Sequence, residues 1–322
     1  MIINIFLLIV GFTILIKGAD LFVDGAKSLA LNFKVSKLLV GLTIVSFGTS
    51  APEFAVSIQS LIAGSGELVL GNVIGSNISN ILLILGASAL VHPLIVKNNT
   101  VKKELPITLL ITTLFLVLIS DSIFDKGISV NNLTRSDGIV IVLFFSIFIY
   151  YLFSIMRNKI DKTPDSKEEE NLMSIKKSIA FTIVGIISII IGSDFAVTGA
   201  TEIASYLGIS ERMIALTIVA IGTSLPELVT SIVATKKGEY DIAIGNVVGS
   251  NIFNIGVVIG LPVIIFGGIS NINFNPVDLI MMLISALLLF LFAAKDYRLT
   301  KKEGIIFLLC FVAYYVYIIF GG

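Results

Sequence analysis

Gly48-Thr49-Ser50-Ala51-Pro52-Glu53 and, 174 residues later, Gly222-Thr223-Ser224-Leu225-Pro226-Glu227 decide the architecture of this chain. Each segment sets a carboxylate, two hydroxyls and a proline inside an apolar run. The repetition spreads outward from them: residues 18–86 align with 192–260 without a gap, and 29 of the 69 positions are identical. The matches include polar and glycine positions, which shared apolar composition does not explain. Gly18-Ala19-Asp20 answers Gly192-Ser193-Asp194, and Gly71-Asn72-Val73-Ile74-Gly75-Ser76-Asn77-Ile78-Ser79-Asn80 answers Gly245-Asn246-Val247-Val248-Gly249-Ser250-Asn251-Ile252-Phe253-Asn254.

The composition sets the medium in which these segments fold. Hydrophobic residues make up 56% and charged residues 14%, against about 25% charged in a soluble domain. Mean hydropathy is +1.02. Apolar runs recur along the chain at the length of about twenty residues needed to cross a bilayer. The chain reads as an all-α integral membrane protein. The first run, residues 2–16, has no basic flank and no small-residue cleavage site, so it reads as a membrane helix and not as a signal peptide. Net charge is zero, which gives no footprint for nucleic acid. The one cysteine, Cys310, excludes a disulfide framework and a thiolate metal centre. His92, the only histidine, reads as an interfacial residue.

Hydropathy and punctuation predict ten helices, over 2–25, 38–61, 67–92, 104–121, 136–156, 176–200, 211–235, 240–267, 276–294 and 303–320. Lysine and arginine alternate with the loops between them. Eighteen fall in the loops around Lys27–Lys37, Lys97–Lys103, Arg157–Lys177, Lys236–Lys237 and Lys295–Lys302, whereas only Lys126, Arg135 and Arg212 fall in the others. By the positive-inside rule the first set is cytoplasmic and both termini are extracytoplasmic. The chain therefore divides into a five-helix repeat at 1–156, a cytoplasmic linker at 157–177 and a second five-helix repeat at 178–322. An odd number of helices per repeat inverts the second copy, an arrangement found in secondary transporters.

Glu53 and Glu227 are expected midway along their helices, where an ionised carboxylate costs about 2.5–3.5 kcal/mol on insertion scales. No lysine or arginine lies centrally in any predicted helix, leaving mobile cations or protons as partners. Thr49 shares a helix face with Glu53, and Ser50 lies alongside. Pro52 opens the backbone near Gly48. Asn72, Ser76 and Asn80 form one stripe, and Thr223, Ser224, Asn246, Ser250 and Asn254 repeat the set. Such an all-oxygen set suits hard cations such as Ca²⁺ and Na⁺. Asp20 and Asp194 read as structural or hinge residues, and Asn77 and Asn251 as backbone-bonding neighbours of the stripe.

At these residues the sequence resembles the sodium/calcium exchangers of the calcium/cation antiporter superfamily. The segments at 48–80 and 222–254 are similar to that family's paired alpha repeats. The resemblance implies ten helices and Na⁺/Ca²⁺ antiport by alternating access, with no enzymatic activity and no cofactor. It implies ion ligation by Glu53, Thr49, Ser50, Ser76, Asn80, Glu227, Thr223, Ser224, Ser250 and Asn254, and by the backbone carbonyls of Ser46 and Ala220. Asparagine at both 80 and 254 argues against potassium coupling. The linker is too short for the regulatory domains of animal exchangers, so the resemblance is to the prokaryotic type. The expected partners are the bilayer and the transported ions, with no obligate protein partner. Two glutamates balance one Ca²⁺, and three Na⁺ would leave about one positive charge, which makes the exchange electrogenic. A Ca²⁺/H⁺ antiporter and, more remotely, a cation channel stand as alternatives.

Overall fold

A computed structural model describes residues 1–124, 130–157, 172–209, 214, 217–218, 220–272 and 275–321. Most of the linker expected at 157–177 and the start of the helix expected at 211–235 therefore lie outside the described residues. The helices are α1 (Ile2–Asn32), α2 (Lys37–Thr49), α3 (Ala51–Ile62), α4 (Gly66–Val91), α5 (Leu105–Leu118), α6 (Arg135–Arg157), α7 (Ile175–Tyr206), α8 (Ala220–Thr223), α9 (Leu225–Lys236), α10 (Tyr240–Phe266), α11 (Pro276–Asp296) and α12 (Lys301–Gly321). Among the described residues seven helices are long and apolar enough to cross a membrane, and an eighth span results if α2 and α3, bent by 45°, are one crossing.

Two helices form the centre. In α4 and α10, 72% and 78% of the most apolar window is buried, against 17–33% in the other five spans. The outer helices expose large aliphatic and aromatic side chains such as Phe6, Leu143, Ile183 and Leu309. In water such a surface would drive aggregation; against acyl chains it is matched.

The fold departs from a purely helical one at the loops. β1 (Leu94–Ile95) pairs antiparallel with β4 (Arg298–Leu299), and β2 (Asn131–Thr134) with β3 (Gly268–Ile272). Both pairings join loops that the charge pattern assigns to the same face. Ion pairs follow the same division: Lys237 Nζ lies 2.7 Å from Asp24 and 3.4 Å from Asp20, and Lys27 lies 2.7 Å from Glu239. Lys97 pairs with Asp241. Asp20 thus ties a helix across the bundle, as expected, whereas its counterpart Asp194 is exposed. His92 stacks on Tyr240 at the end of α4.

Outside the centre, α1 and α7 pair along their lengths. Gly11 faces Gly192 and Ala196, Gly18 faces Gly185 and Ser188, and Gly25 faces Ser178 and Thr182. As one chain ascends the other descends, so these repeat-equivalent helices run antiparallel. The glycines recur every seven residues in both, which lets the two backbones touch. A Cβ on Gly192 would lie 2.5 Å from the Leu15 nitrogen, and one on Gly18 would lie 2.7 Å from the Ser188 Cβ. Gly18→Ala and Gly192→Ala are each expected to destabilise the protein by about 1–3 kcal/mol, the usual cost of overpacking. The measurement is the thermal midpoint in detergent, and an unchanged midpoint in both would contradict this packing.

Candidate functional site

The site begins at two backbone breaks. Pro52 and Pro226 lack the N–H that would bond four residues back, and α2 and α8 stop one residue after Gly48 and Gly222. Ser50 (φ −84°, ψ 7°) and Ser224 (φ −86°, ψ 5°) take nearly the same sparsely populated conformation. α3 and α9 then restart at Ala51 and Leu225, which puts Glu53 and Glu227 in their first turns. This corrects the expectation that the glutamates lie midway along continuous helices. It also separates Thr49 from Glu53, since the two belong to different helical segments. A first turn presents unpaired N–H groups and the positive end of the helix dipole, both favourable to a carboxylate.

The second elements are the central helices. Each contains a wide π turn, at Asn80–Leu85 in α4 and Asn254–Ile259 in α10, that starts on the repeated asparagine. π turns inside α-helices are frequent at functional sites. α9 packs against the first of these turns and α3 against the second. Each glutamate helix therefore meets the asparagine turn of the other half.

Ser46, Thr49, Ser50, Glu53, Ser76, Asn80, Ser224, Glu227, Ser250 and Asn254 are all buried, none exposing more than 2%. Thr223 is half-buried, and Ala220 lies in the backbone of α8. Ser50 Oγ lies 3.0 Å from Glu227 Oε1 and 2.9 Å from Ser250 Oγ, a contact between the halves. Thr49 Oγ1 donates to Asn246 Oδ1 at 2.9 Å and lies 3.3 Å from the Ser46 carbonyl. That carbonyl, expected to be a free ligand, also accepts the Ser50 N–H at 3.0 Å.

Several oxygens in this cluster have no partner. Glu53 Oε2, Glu227 Oε2, Ser76 Oγ, Ser224 Oγ, Asn80 Oδ1 and Asn254 Oδ1 are buried without a hydrogen bond. In proteins generally buried polar atoms are almost always paired, because each orphan costs about 1–3 kcal/mol; Glu104 Oε2 and the hydroxyls of Ser57, Ser79, Ser88, Ser120, Thr201 and Thr230 are unpaired here as well. Among the described residues no lysine, arginine or histidine pairs with either glutamate. Among them, too, there is no cluster of three or more His, Cys, Asp or Glu, so the cluster is two carboxylates among neutral oxygens.

The supporting residues were only partly legible. Asn72 and Asn246 donate to the backbone carbonyls of Glu53 and Glu227, each at 3.4 Å, and Asn246 also donates to Ser231 Oγ at 3.0 Å. They hold the glutamate backbone, a role the stripe pattern did not reveal. Ser231 was missed altogether, although Ser57 is its counterpart four residues after Glu53. Asn77 and Asn251 each donate to the other's backbone carbonyl at 3.3 Å, in line with the expectation of backbone bonding.

The model of the sodium/calcium exchanger protein family matches residues 3–154 and 177–320. The putative antiporter CaxA of Alkalimonas amylolytica is 37% identical over 321 residues, covering 98% of both chains. The sodium/calcium exchanger MaX1 of Methanosarcina acetivorans is 31% identical, also covering 98% of both. A solved structure of the sodium-calcium exchanger NCX_Mj, soaked with Na⁺ and Ca²⁺, superposes with a TM-score of 0.82 at 32% identity, covering 100% of this chain and 99% of that one. The motifs, the membrane-spanning helices and these likenesses agree that the chain belongs to the sodium/calcium exchanger protein family.

Proposed function

We propose that this protein exchanges Na⁺ for Ca²⁺ by alternating access, with the ions held between Glu53 and Glu227. The observation that carries the reading is the set of six buried, partnerless oxygens contributed by both halves. All six offer lone pairs, which a bound cation would satisfy together. Ca²⁺ takes six to eight oxygen ligands, and two carboxylates neutralise its charge. Thr49, Ser50, Thr223 and Ser250 complete the ligand set, with the carbonyls of Ser46 and Ala220 joining once the backbone near the breaks rearranges.

In this reading the chain crosses the membrane ten times. The seven long spans are joined by α2–α3, by α5 with the π turn Thr100–Glu104 that precedes it, and by the segment ending in α8–α9. Residues 1–156 and 178–322 are inverted repeats joined by a cytoplasmic linker, and both termini are extracytoplasmic. The antiparallel pairing of α1 with α7 and the loop pairings support this topology. The names of MaX1 and NCX_Mj support sodium as the coupling ion. The absence of a fixed cation beside the glutamates, among the described residues, favours one second reading, Ca²⁺/H⁺ antiport, in which a proton neutralises each carboxylate.

Purified protein in liposomes is expected to accumulate ⁴⁵Ca²⁺ when an outward Na⁺ gradient is imposed. Uptake driven by a pH gradient in sodium-free buffer, and unaffected by Na⁺, would replace this reading with the second. Glu53→Gln and Glu227→Gln are each expected to cut calcium exchange by at least a hundredfold while the protein stays monodisperse. Normal exchange in both would place the site elsewhere. A valinomycin-clamped K⁺ potential should change the uptake rate if net charge moves, and an unchanged rate would mean electroneutral exchange.

A further inference from the structure

Four asparagines meet where the two halves touch. Asn80 Nδ2 donates to Asn251 Oδ1 and Asn254 Nδ2 donates to Asn77 Oδ1, both at 3.0 Å. Asn77 Nδ2 donates to the Asn251 carbonyl and Asn251 Nδ2 to the Asn77 carbonyl, both at 3.3 Å. All four residues are buried.

The orientation of each amide follows from the chemistry of one atom. A backbone carbonyl can only accept. The Asn77 carbonyl must therefore receive the NH₂ end of Asn251, which turns the Asn251 oxygen toward Asn80. That oxygen also can only accept, so it draws the NH₂ end of Asn80. The carbonyl end of Asn80 is left facing away from the knot, buried and without a partner. The same chain of constraints runs from the Asn251 carbonyl through Asn77 to Asn254, whose Oδ1 is likewise partnerless.

We propose that Asn77 and Asn251 are positioning residues, which hold the side-chain oxygens of Asn80 and Asn254 toward the transported cation without touching it. The inference rests on the ligand set proposed above. An asparagine free to rotate by half a turn about its last bond would present its NH₂ group instead, and would repel the ion that its oxygen attracts. Because each positioning side chain comes from the other half, Asn251 for Asn80 and Asn77 for Asn254, the knot couples ligand orientation in one repeat to contact with its twin.

The test uses the full chain, purified in detergent, with CaCl₂ titrated calorimetrically and the thermal midpoint recorded for each variant. Asn77→Ala is expected to weaken Ca²⁺ binding about tenfold, on the scale of one charge-assisted contact. In an Asn254→Asp background, where both side-chain oxygens accept and no orientation needs to be set, the same Asn77→Ala change should weaken binding less than twofold. Equal weakening in the two backgrounds, or no weakening in the native one, would overturn the inference. Asn251→Ala tested in native and Asn80→Asp backgrounds gives the reciprocal reading should Asn77→Ala fail to fold. Asn80→Ala and Asn254→Ala separate the two levels: if neither alters Ca²⁺ binding, the ligand set itself is wrong and this inference falls with it. If they weaken binding while Asn77→Ala and Asn251→Ala do not, only the positioning role is lost.

Discussion

A carboxylate inside a membrane protein demands a partner, and the fold is organised around two carboxylates that, among the described residues, have no fixed counter-charge. Taking such a group out of water costs several kcal/mol unless an opposite charge and hydrogen bonds repay it. Among the described residues lysines pair with acids of the loops, the helix ends and the second half of α1, while Glu53 and Glu227 remain buried among neutral oxygens. The requirement for an outside charge links structure to transport. A permanent lysine at this depth would satisfy the glutamates and leave nothing for a cation to do.

The backbone is arranged to make that incompleteness tolerable. The breaks at Ser50 and Ser224 turn two helix starts toward the site, so unpaired N–H groups and dipole ends offset part of the carboxylate cost. The π turns at Asn80 and Asn254 and the asparagine knot link the central helices across the two halves. On the flank, α1 and α7 approach through glycines that let their backbones touch, with Leu15, Phe22 and Ile189 in one buried apolar cluster beside them. The most interlocked polar contacts thus lie at the centre.

Much of this was legible in the sequence because duplication makes chemistry visible. Two copies of a glutamate among threonine, serine and proline, 174 residues apart, single out the candidate site without a structure. Hydropathy found the helices, and their observed ends fall mostly within a few residues of expectation, with α1 and α7 running about six or seven residues further. What stayed hidden depends on geometry between segments. Periodicity assumes a continuous helix, so it placed Thr49 and Glu53 on one face and missed that the chain breaks between them. It could not tell that Asn72 and Asn246 would turn toward the glutamate carbonyls, or that Ser231 would accept from Asn246. Nor does hydropathy register the short strand pairs that tie loops distant in sequence.

The central claim is that both glutamates and the partnerless oxygens around them hold one divalent cation. Crystals of the protein soaked in Sr²⁺, a calcium mimic with a usable anomalous signal, test it most directly. The account predicts a single strong anomalous peak between Glu53 and Glu227, within coordination distance of both side chains and absent after soaking in Na⁺ alone. A peak elsewhere in the chain, or none between these residues at saturating Sr²⁺, would contradict it.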